Sequence, residues 1–547
     1  MADVADVADA AELARTLVAS LLAGGVREVV LAPGSRSAPL ALVLWAADRD
    51  GRLRLHVRVD ERGAGFLALG LAKASGRPVP VVTTSGTAVA NLHPAVLEAW
   101  HGHVPLVVVS ADRPAALRWT GANQTTHQEG LFATHVRASA TVSAAGGVPY
   151  EVGRLLAAAT GVRSRLPGPV HLDVELADPL VPAGVEPDEE LPAVTLTGLA
   201  PPAPPAAFVL DPGVRTVVVA GDAPPALGRA WAERAAAASV PLLAEASSNA
   251  RSGPAALSTY RLLLAGLAAE VERVVVVGHP TLTRPVSQLL ARTDVELVVT
   301  TPYADWPDPG RSANRVVDDV VLPPPGEVEH AWFARWRTAE DAMRGRVDAL
   351  LEGWPGLTGP QVARTVLEVQ RPTDVLLVGS SNPVRDLDLA PVGAPPPAVY
   401  ANRGLAGIDG LVSTAVGVAW GTGSPVTALL GDLTLLHDAI GLVVGPLEPR
   451  PDVRFVVVND DGGSIFTTLE QGAPDHARSF ERVFGTPQGV RFEGLAHAAG
   501  LAYAQVSDLA GLRAALERPP SGLELVEVRL DRTRRRALDE ALRALAH

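Results

Sequence analysis

Short runs of β-branched residues, each closed by a polar residue and followed by an Ala/Leu-rich stretch, recur along the whole of this 547-residue chain. Val29–Leu31, Val79–Thr83, Leu106–Val109, Thr216–Val219, Arg273–Val277, Val375–Val378, Val426–Leu430 and Arg454–Val458 are the clearest of them. This alternation predicts an α/β fold built on doubly wound parallel sheets. The runs are apolar throughout, as strands buried on both faces must be. Gly, Ser, Asn or Asp closes each run, so polar residues are expected at the strand C-terminal ends, the edge where such sheets bind ligands.

A chain of this length exceeds one hydrophobic core. Two breaks divide it. The stretch from Pro179 to Pro212, dense in Pro and Ala, reads as an extended connector. Further on, a helical segment over Trp332–Leu351 runs into Gly353-Trp354-Pro355-Gly356, after which the strand–helix pattern restarts. The expected organisation is an α/β domain over 1–180, a linker over 181–212, a central α/β domain over 213–352 and a third over 353–547. The first and third are candidates for distant copies of one fold.

The net charge of −13 argues against nucleic acid or an anionic membrane as a partner. Anionic substrates stay open, because clustered Arg can reverse the field inside a cleft. Lys73 is the only Lys, so the basic residues are otherwise Arg. Without Cys there are no disulfides, thiolate nucleophiles or thiolate metal sites. Met1–Ala14 lacks the basic start of a signal peptide, and apolar runs such as Val274–Val277 are too short to span a bilayer. A cytoplasmic protein is expected.

The strongest chemical signal lies between Val426 and Phe466. One apolar strand ends in Gly431-Asp432-Leu433, with a helical stretch following from Thr434, and a second ends in Asn459-Asp460-Asp461-Gly462-Gly463. If the strands are parallel neighbours, Asp432 and Asp460 meet at one sheet edge near a helix N-terminus. That suits a magnesium diphosphate: Mg²⁺ takes one or two carboxylates plus phosphate oxygens, and the helix N-terminus offers N–H groups to the same phosphates. Gly431 and Gly462 would let the backbone approach closely, with a carbonyl near Gly462 as a further ligand. Gly-Asp alone is also what an ordinary Asp-capped βα turn looks like. The paired motif resembles the metal and diphosphate signature of thiamine-diphosphate enzymes. That resemblance implies Asp432, Asp460 and the Gly462 carbonyl as ligands to Mg²⁺ (or Mn²⁺), with Gly431, Leu433 and Gly463 lining the diphosphate.

Such an enzyme needs a Glu against the aminopyrimidine ring of the cofactor. Val57-Arg58-Val59-Asp60-Glu61 fits, with a strand ending at Asp60-Glu61 and a small-residue helix from Gly63 to Leu71. Taken alone, Glu61 is equally a first-turn helix acid stabilised by the dipole. Gly63 and Gly65 do not open a dinucleotide fingerprint, since the next glycine is Gly70. In the family, pyrimidine and diphosphate are held by different subunits, so the resemblance implies a homodimer or homotetramer with active sites between subunits.

Further runs narrow the resemblance. They are Ala32–Leu40, Thr84–Asn91, Ala111–Pro114, Gly121–Thr125, Asn402–Gly410 and Gly463–Phe466. The set resembles the 2-succinyl-5-enolpyruvyl-6-hydroxy-3-cyclohexene-1-carboxylate synthase family of menaquinone biosynthesis, densely over the first and third domains and weakly through the middle. This implies a transferase that decarboxylates 2-oxoglutarate and adds the resulting succinic semialdehyde carbanion in 1,4 fashion to isochorismate. Both substrates are dianions, and Arg36, Arg113, Arg385 and Arg403 all fall in loops beyond predicted strands. By resemblance Arg385 and Arg403 hold a carboxylate of the 2-oxo acid, while Ser35, Arg36, Arg113 and Gln124 face isochorismate. Ser381 matches a substrate-contacting Ser, and Ile408 an apolar prop under the cofactor. Ile465 and Phe466 line cofactor and substrate, and Arg284 occupies a position where Lys is common.

Two other features read as bland. His101 and His103 form a loop pair with no third metal ligand in view, and Arg534-Arg535-Arg536 is expected on the solvated face of a C-terminal helix. Two rivals remain. An acetohydroxyacid synthase would favour small apolar 2-oxo acids and often carries FAD on its middle domain; the Arg-bearing loops speak against it. A catalytically silent regulatory protein on the same fold is opposed by the retention of Glu61.

Overall fold

The computed structural model describes residues 10–181, 190–203, 206–392 and 396–546. Residues 1–9 of the N-terminal segment, together with 182–189, 204 and 205 of the connector, lie outside the described residues.

Three six-stranded sheets carry the fold, and every pairing in them is parallel. The first runs Arg54–Val57, Glu28–Leu31, Val79–Thr83, Leu106–Asp112, Val170–Glu175, Ser139–Val142. The third runs Ala398–Tyr400, Val375–Val378, Val426–Gly431, Val453–Asn459, Leu523–Arg529, Ala502–Val506. Counted within each sheet, both have the order 2-1-3-4-6-5, which gives the expected kinship of first and third domains a topological basis. The middle sheet is wound differently. Its order is Ala256–Leu257, Leu242–Ala244, Thr216–Ala220, Arg273–Val277, Glu296–Thr300, Arg315–Val317, or 3-2-1-4-5-6, the common dinucleotide-fold winding. The apolar runs that announced these strands are buried, as the lack of alternation required: Val79–Thr83, Arg273–Val277 and Val375–Val378 have no exposed position.

Contacts group the chain into two compact units. One takes Met1–Ala203, Gly404–Gly423 and Asp438–Pro451; the other takes Pro204–Arg403, Ser424–His437 and Asp452–His547. The first unit is therefore discontinuous. Its helix Glu61–Ser75 packs along the helix Leu411–Thr422, and the two meet backbone to backbone. A Cβ on Gly70 would lie 2.4 Å from the Thr414 carbonyl oxygen, and one on Gly417 would lie 2.2 Å from that of Leu67. Only glycine permits so close a crossing.

In the second unit the helix Glu327–Glu352 turns one face inward. Trp332, Trp336, Met343, Val347 and Leu351 recur at helical spacing and join a core that includes Val274, Val276, Leu538 and Leu542. Glu340 sits on the same stripe. It is buried because its carboxylate accepts hydrogen bonds from the backbone N–H and the hydroxyl of both Ser258 and Thr259.

Two local expectations differ. The strand before Glu61 ends at Val57, and Asp60 instead caps the following helix by accepting from Gly63 N–H at 2.8 Å. That cap starts the helix at Glu61 itself. Among the described residues, no helix is long and apolar enough to cross a membrane.

The close helix crossing makes a contrast measurable. Gly417→Val should lower unfolding free energy by about 1–3 kcal/mol through overpacking. Gly266→Ala, in an exposed helix turn with open space around its Cα, should raise it by about 0.5–1 kcal/mol. Urea titration of both variants reads the difference, and equal effects would contradict the packing described.

Candidate active site

In a 2-1-3-4-6-5 sheet the connections leave strands 1 and 3 toward opposite faces, and the gap between their C-terminal ends is the natural ligand crevice. In the third sheet that gap lies between Val378 and Gly431. Val426–Gly431 and Val453–Asn459 are parallel neighbours with Gly431 opposite Val458, so Asp432 and Asp460 emerge at one edge, as the paired motif required. Asp432 is buried, and its Oδ2 accepts from Gly462 N–H at 2.7 Å. Ser464 hydrogen-bonds the Asp460 carboxylate and accepts from Asn382 Nδ2 at 2.7 Å. Burial pushes Asp432 up to about 6; burial and the neighbouring Asp432 push Asp460 up to about 7.

This edge fits a metal-bound diphosphate. Asp432 raises the proton affinity of Asp460, as Asp461 raises that of Asp432, and a divalent cation would relieve both. Gly462 has φ 140°, and a Cβ there would lie 2.0 Å from the Gly485 carbonyl oxygen. A Cβ on Gly463 would meet Phe484 O at 2.4 Å. The turn is thus a bare backbone cradle, closed by Gly463 N–H donating to Gly485 O at 2.7 Å. Among the described residues no group of three or more His, Cys, Asp and Glu side chains is arranged to hold a metal ion. Any ion here would complete its shell with carbonyl and external oxygens, and His101 and His103 belong to no metal-holding group of three among the described residues.

Two details depart from expectation. The helix after the first motif starts at Asp432 and has only six residues, and its Leu433 N–H is taken by Asp432 Oδ1 at 2.7 Å. Its terminus therefore adds little to anion binding. At Gly431 an added Cβ would meet only Thr434 Oγ1, at 3.7 Å, so the chain's own atoms do not demand glycine there.

On the other side of the crevice Ser381 stands at φ 75°, and its carbonyl oxygen accepts from Arg385 Nη1 at 2.8 Å. Arg403 is buried and donates to Ser380 Oγ at 3.3 Å and Thr281 Oγ1 at 2.8 Å. Burial, then the like charges of Arg403 and Arg261, hold Arg385 below its ordinary range. The two guanidiniums thus feel each other's charge, and among the described residues neither has a salt bridge. Ile465 and Phe466 follow the glycine cradle, with Phe466 against Phe484 at 5.9 Å between centroids. Arg284 is exposed at the start of the helix Arg284–Leu290, three residues beyond Thr281.

The first unit assembles a second group at the matching gap of its own sheet. Gly34, whose Cβ would lie 2.3 Å from that of Thr84, presses the loop bearing Ser35 and Arg36 onto the Thr84–Gly86 turn. Arg113 Nη1 donates to Ser85 Oγ and to the Gln124 carbonyl oxygen, each at 2.7 Å, while Gln124 Nε2 donates to Ser85 O at 2.9 Å. Burial, then nearby Arg36, lowers Arg113. Arg36 itself donates to Leu176 O at 2.8 Å. Ser35 is exposed beside them. Glu61 is half-buried at its helix start, and no other described residue engages its carboxylate. The loop with Ile408 is pinned at both ends. Glu98 accepts from Gly404 and Leu405 N–H, both at 2.8 Å, and Gly410, at φ 66°, lies against Phe66.

Sequence reasoning missed several groups. Arg535 turns mostly inward: its guanidinium grips the buried Asp386 at 2.9 and 2.8 Å. Arg534 bonds Pro355 O, and Arg536 bonds Glu540 and Thr467 O. Arg534 is exposed, as a solvated run requires, but Asp386, the partner of Arg535, lies far away in sequence and gives no local signal. Thr281, Glu245, Tyr260 and Asp388, which surround the Arg385–Arg403 pair, carried no local signal either.

The fold and these strand ends define the class of thiamine-diphosphate-dependent enzymes, and the family described as thiamine pyrophosphate enzyme, N-terminal TPP binding domain, matches residues 11–131. Three similar proteins carry the name 2-succinyl-5-enolpyruvyl-6-hydroxy-3-cyclohexene-1-carboxylate synthase. That of a Nocardioides species is 50% identical, with 97% of each chain covered. That of Kineococcus radiotolerans is 50% identical over 97% of this chain and 98% of its own. That of an Arthrobacter species is 47% identical over 98% and 92%. The chain belongs to this family of thiamine-diphosphate-dependent synthases.

Breaking the Arg535–Asp386 pair should be costly. Asp386→Ala would leave a largely buried guanidinium without its carboxylate and lower unfolding free energy by about 2–4 kcal/mol; a loss under about 1 kcal/mol would contradict the pairing. Glu245 gives a pH signature. Burial raises it from 4.5 to about 8, so between those values the folded chain holds a proton that the unfolded chain has released. Stability from this group therefore falls as pH rises through the window, and Glu245→Gln should flatten that slope in thermal melts.

Proposed function

We propose that the chain decarboxylates 2-oxoglutarate and joins the four-carbon remainder to the ring of isochorismate in a 1,4-addition, releasing CO₂, in menaquinone biosynthesis. The observation that carries this reading is the pairing of buried Arg403 with half-buried Arg385, neither with a salt bridge among the described residues, at the same sheet edge as Asp432 and Asp460. Two like charges held near each other call for an anionic ligand, and the distal carboxylate of 2-oxoglutarate is such a partner. The relatives' name, which specifies a succinyl product, points the same way.

Asp432, Asp460 and the Gly462 carbonyl would hold Mg²⁺ or Mn²⁺, and the Gly462–Gly463 backbone with Gly431 and Leu433 would cradle the diphosphate. Thiamine diphosphate, when bound, supplies an electron sink at the carbon that loses CO₂. Glu61 holds a proton against the aminopyrimidine ring, and Ile408 props the cofactor from its pinned loop. Arg385, Arg403 and Ser381 orient the distal carboxylate, so that only the keto end reaches the reacting centre. Ser35, Arg36, Arg113 and Gln124 receive isochorismate, and Ile465 and Phe466 exclude water. Arg284 would add a cation at the rim. We assign these roles to domains over 1–180, 213–352 and 353–547, joined by the linker 181–212, in a cytoplasmic homodimer or homotetramer whose sites form between subunits.

One observation weighs against the flavin-bearing rival. In the middle sheet, the crevice where a dinucleotide would lie is zipped shut. Asp222 and His279 exchange backbone hydrogen bonds of 3.1 and 3.0 Å, and a Cβ on Gly221 would lie 2.0 Å from Pro280 N.

With thiamine diphosphate and Mg²⁺, CO₂ release should favour 2-oxoglutarate over pyruvate, and adding isochorismate should yield the adduct by mass. Preference for pyruvate would sink the assignment. Glu61→Gln should slow turnover by about 10²–10⁴-fold, and undiminished decarboxylation would show that another group holds the proton.

A further inference from the structure

The middle sheet contributes no residue to the roles above except Arg284, yet its loops reach the arginine pair. Glu245, 1% exposed, follows the strand Leu242–Ala244. Its carboxylate accepts from Thr281 N–H at 3.0 Å and Leu282 N–H at 2.8 Å. Those two bonds fix the turn that closes the middle sheet's crevice. From that turn the Thr281 hydroxyl oxygen receives Arg403 Nη2 at 2.8 Å. Nearby, Arg261 donates to the Arg385 carbonyl oxygen at 3.0 Å and approaches Asp388 at 3.7 Å. Asp388, fully buried, also accepts from Tyr260 at 2.9 Å and faces Arg251 at 3.8 Å.

Charge explains why such a buttress is needed. Arg251, Arg261, Arg385, Arg403 and Arg535 here face Glu245, Asp386 and Asp388. Even with all three acids ionised, two positive charges are left over. Arg385 and Arg403 repel each other, and neither is fixed by an ion pair. A guanidinium so placed keeps its direction only through neutral acceptors, and Arg403 has two: Ser380 Oγ at 3.3 Å and the shorter contact at Thr281. Because the Thr281 oxygen accepts from a cation, its own hydrogen must turn away from Arg403, and the residue is exposed.

We propose that Thr281, held by Glu245, is a positioning residue that aims Arg403 at the carboxylate of the 2-oxo acid, so that the middle domain sets recognition of the dianionic substrate. The inference rests on the reading of Arg403 as a carboxylate ligand. Removing the acceptor frees Arg403 to swing away from Arg385, which weakens capture of 2-oxoglutarate and leaves the reacting carbon, the metal edge and isochorismate untouched.

Steady-state kinetics of the holoenzyme test it. Thr281→Val keeps the shape and removes the acceptor. KM for 2-oxoglutarate should rise about tenfold, with kcat and the KM for isochorismate within about twofold of the parent, and Thr281→Ser should restore it. Glu245→Ala should raise the same KM through the loosened turn, while Glu245→Gln, which keeps one acceptor oxygen, should have the smaller effect. Arg403→Ala is measured alongside. If it raises the KM and Thr281→Val does not, the positioning role is overturned. If Arg403→Ala itself leaves that KM unchanged, the reading of Arg403 falls instead. A uniform loss of kcat in both Thr281 variants would mark a structural role only and also overturn the proposal.

Discussion

Every strand in the three large sheets runs parallel to its neighbours, and this constrains all else. A parallel pair needs a crossover that returns the chain to the starting end, so every strand delivers its C-terminal residue to one common edge. Residues far apart in sequence are thereby brought side by side without any long loop. Asp432 and Asp460 meet because Gly431 and Val458 are in register, and the bond from Gly462 N–H to Asp432 locks the two strand ends together. The same logic places Ser85 beside Arg113 in the first sheet.

Crowding polar groups at one edge has an electrostatic cost, and the molecule meets it unevenly. Arg535 and Asp386 neutralise each other, as do Arg454 and Glu524 within the third sheet. Glu340 is satisfied wholly by neutral donors. Asp432 with Asp460, and Arg385 with Arg403, are left as like-charged pairs. Structural charges are paired internally, and the unbalanced ones gather where a cation and an anion would complete them. Such preorganisation is what lets a site act on charge without rearranging.

The central strands were legible because they are apolar and bounded by polar residues. Val79–Thr83, Arg273–Val277 and Val375–Val378 have the same limits in sequence and structure. Leu523–Arg529 was hidden. Its Glu524 and Glu527 look like solvent-facing residues, but they are buried against Arg454 and Asn459. Leu242–Ala244 and Ala256–Leu257 are too short to carry a pattern. The meeting of Asp432 and Asp460 at one edge could be read because it comes from two contiguous motifs. The buttress of Arg403 could not, since Glu245, Thr281 and Arg403 are joined only by the folding of two sheets.

The discontinuity of the first compact unit bears on how the chain comes into being. Its helix Glu61–Ser75 has Gly70 and Leu67 waiting for Thr414 and Gly417, and its contacts extend to Pro451. Synthesis proceeds from the N-terminus, so the ribosome makes the whole middle sheet before it supplies that partner helix. Until then an apolar helix face remains open to solvent or to another nascent chain. Birth order and spatial order are therefore interleaved, and neither unit reaches its final packing before the other is largely made.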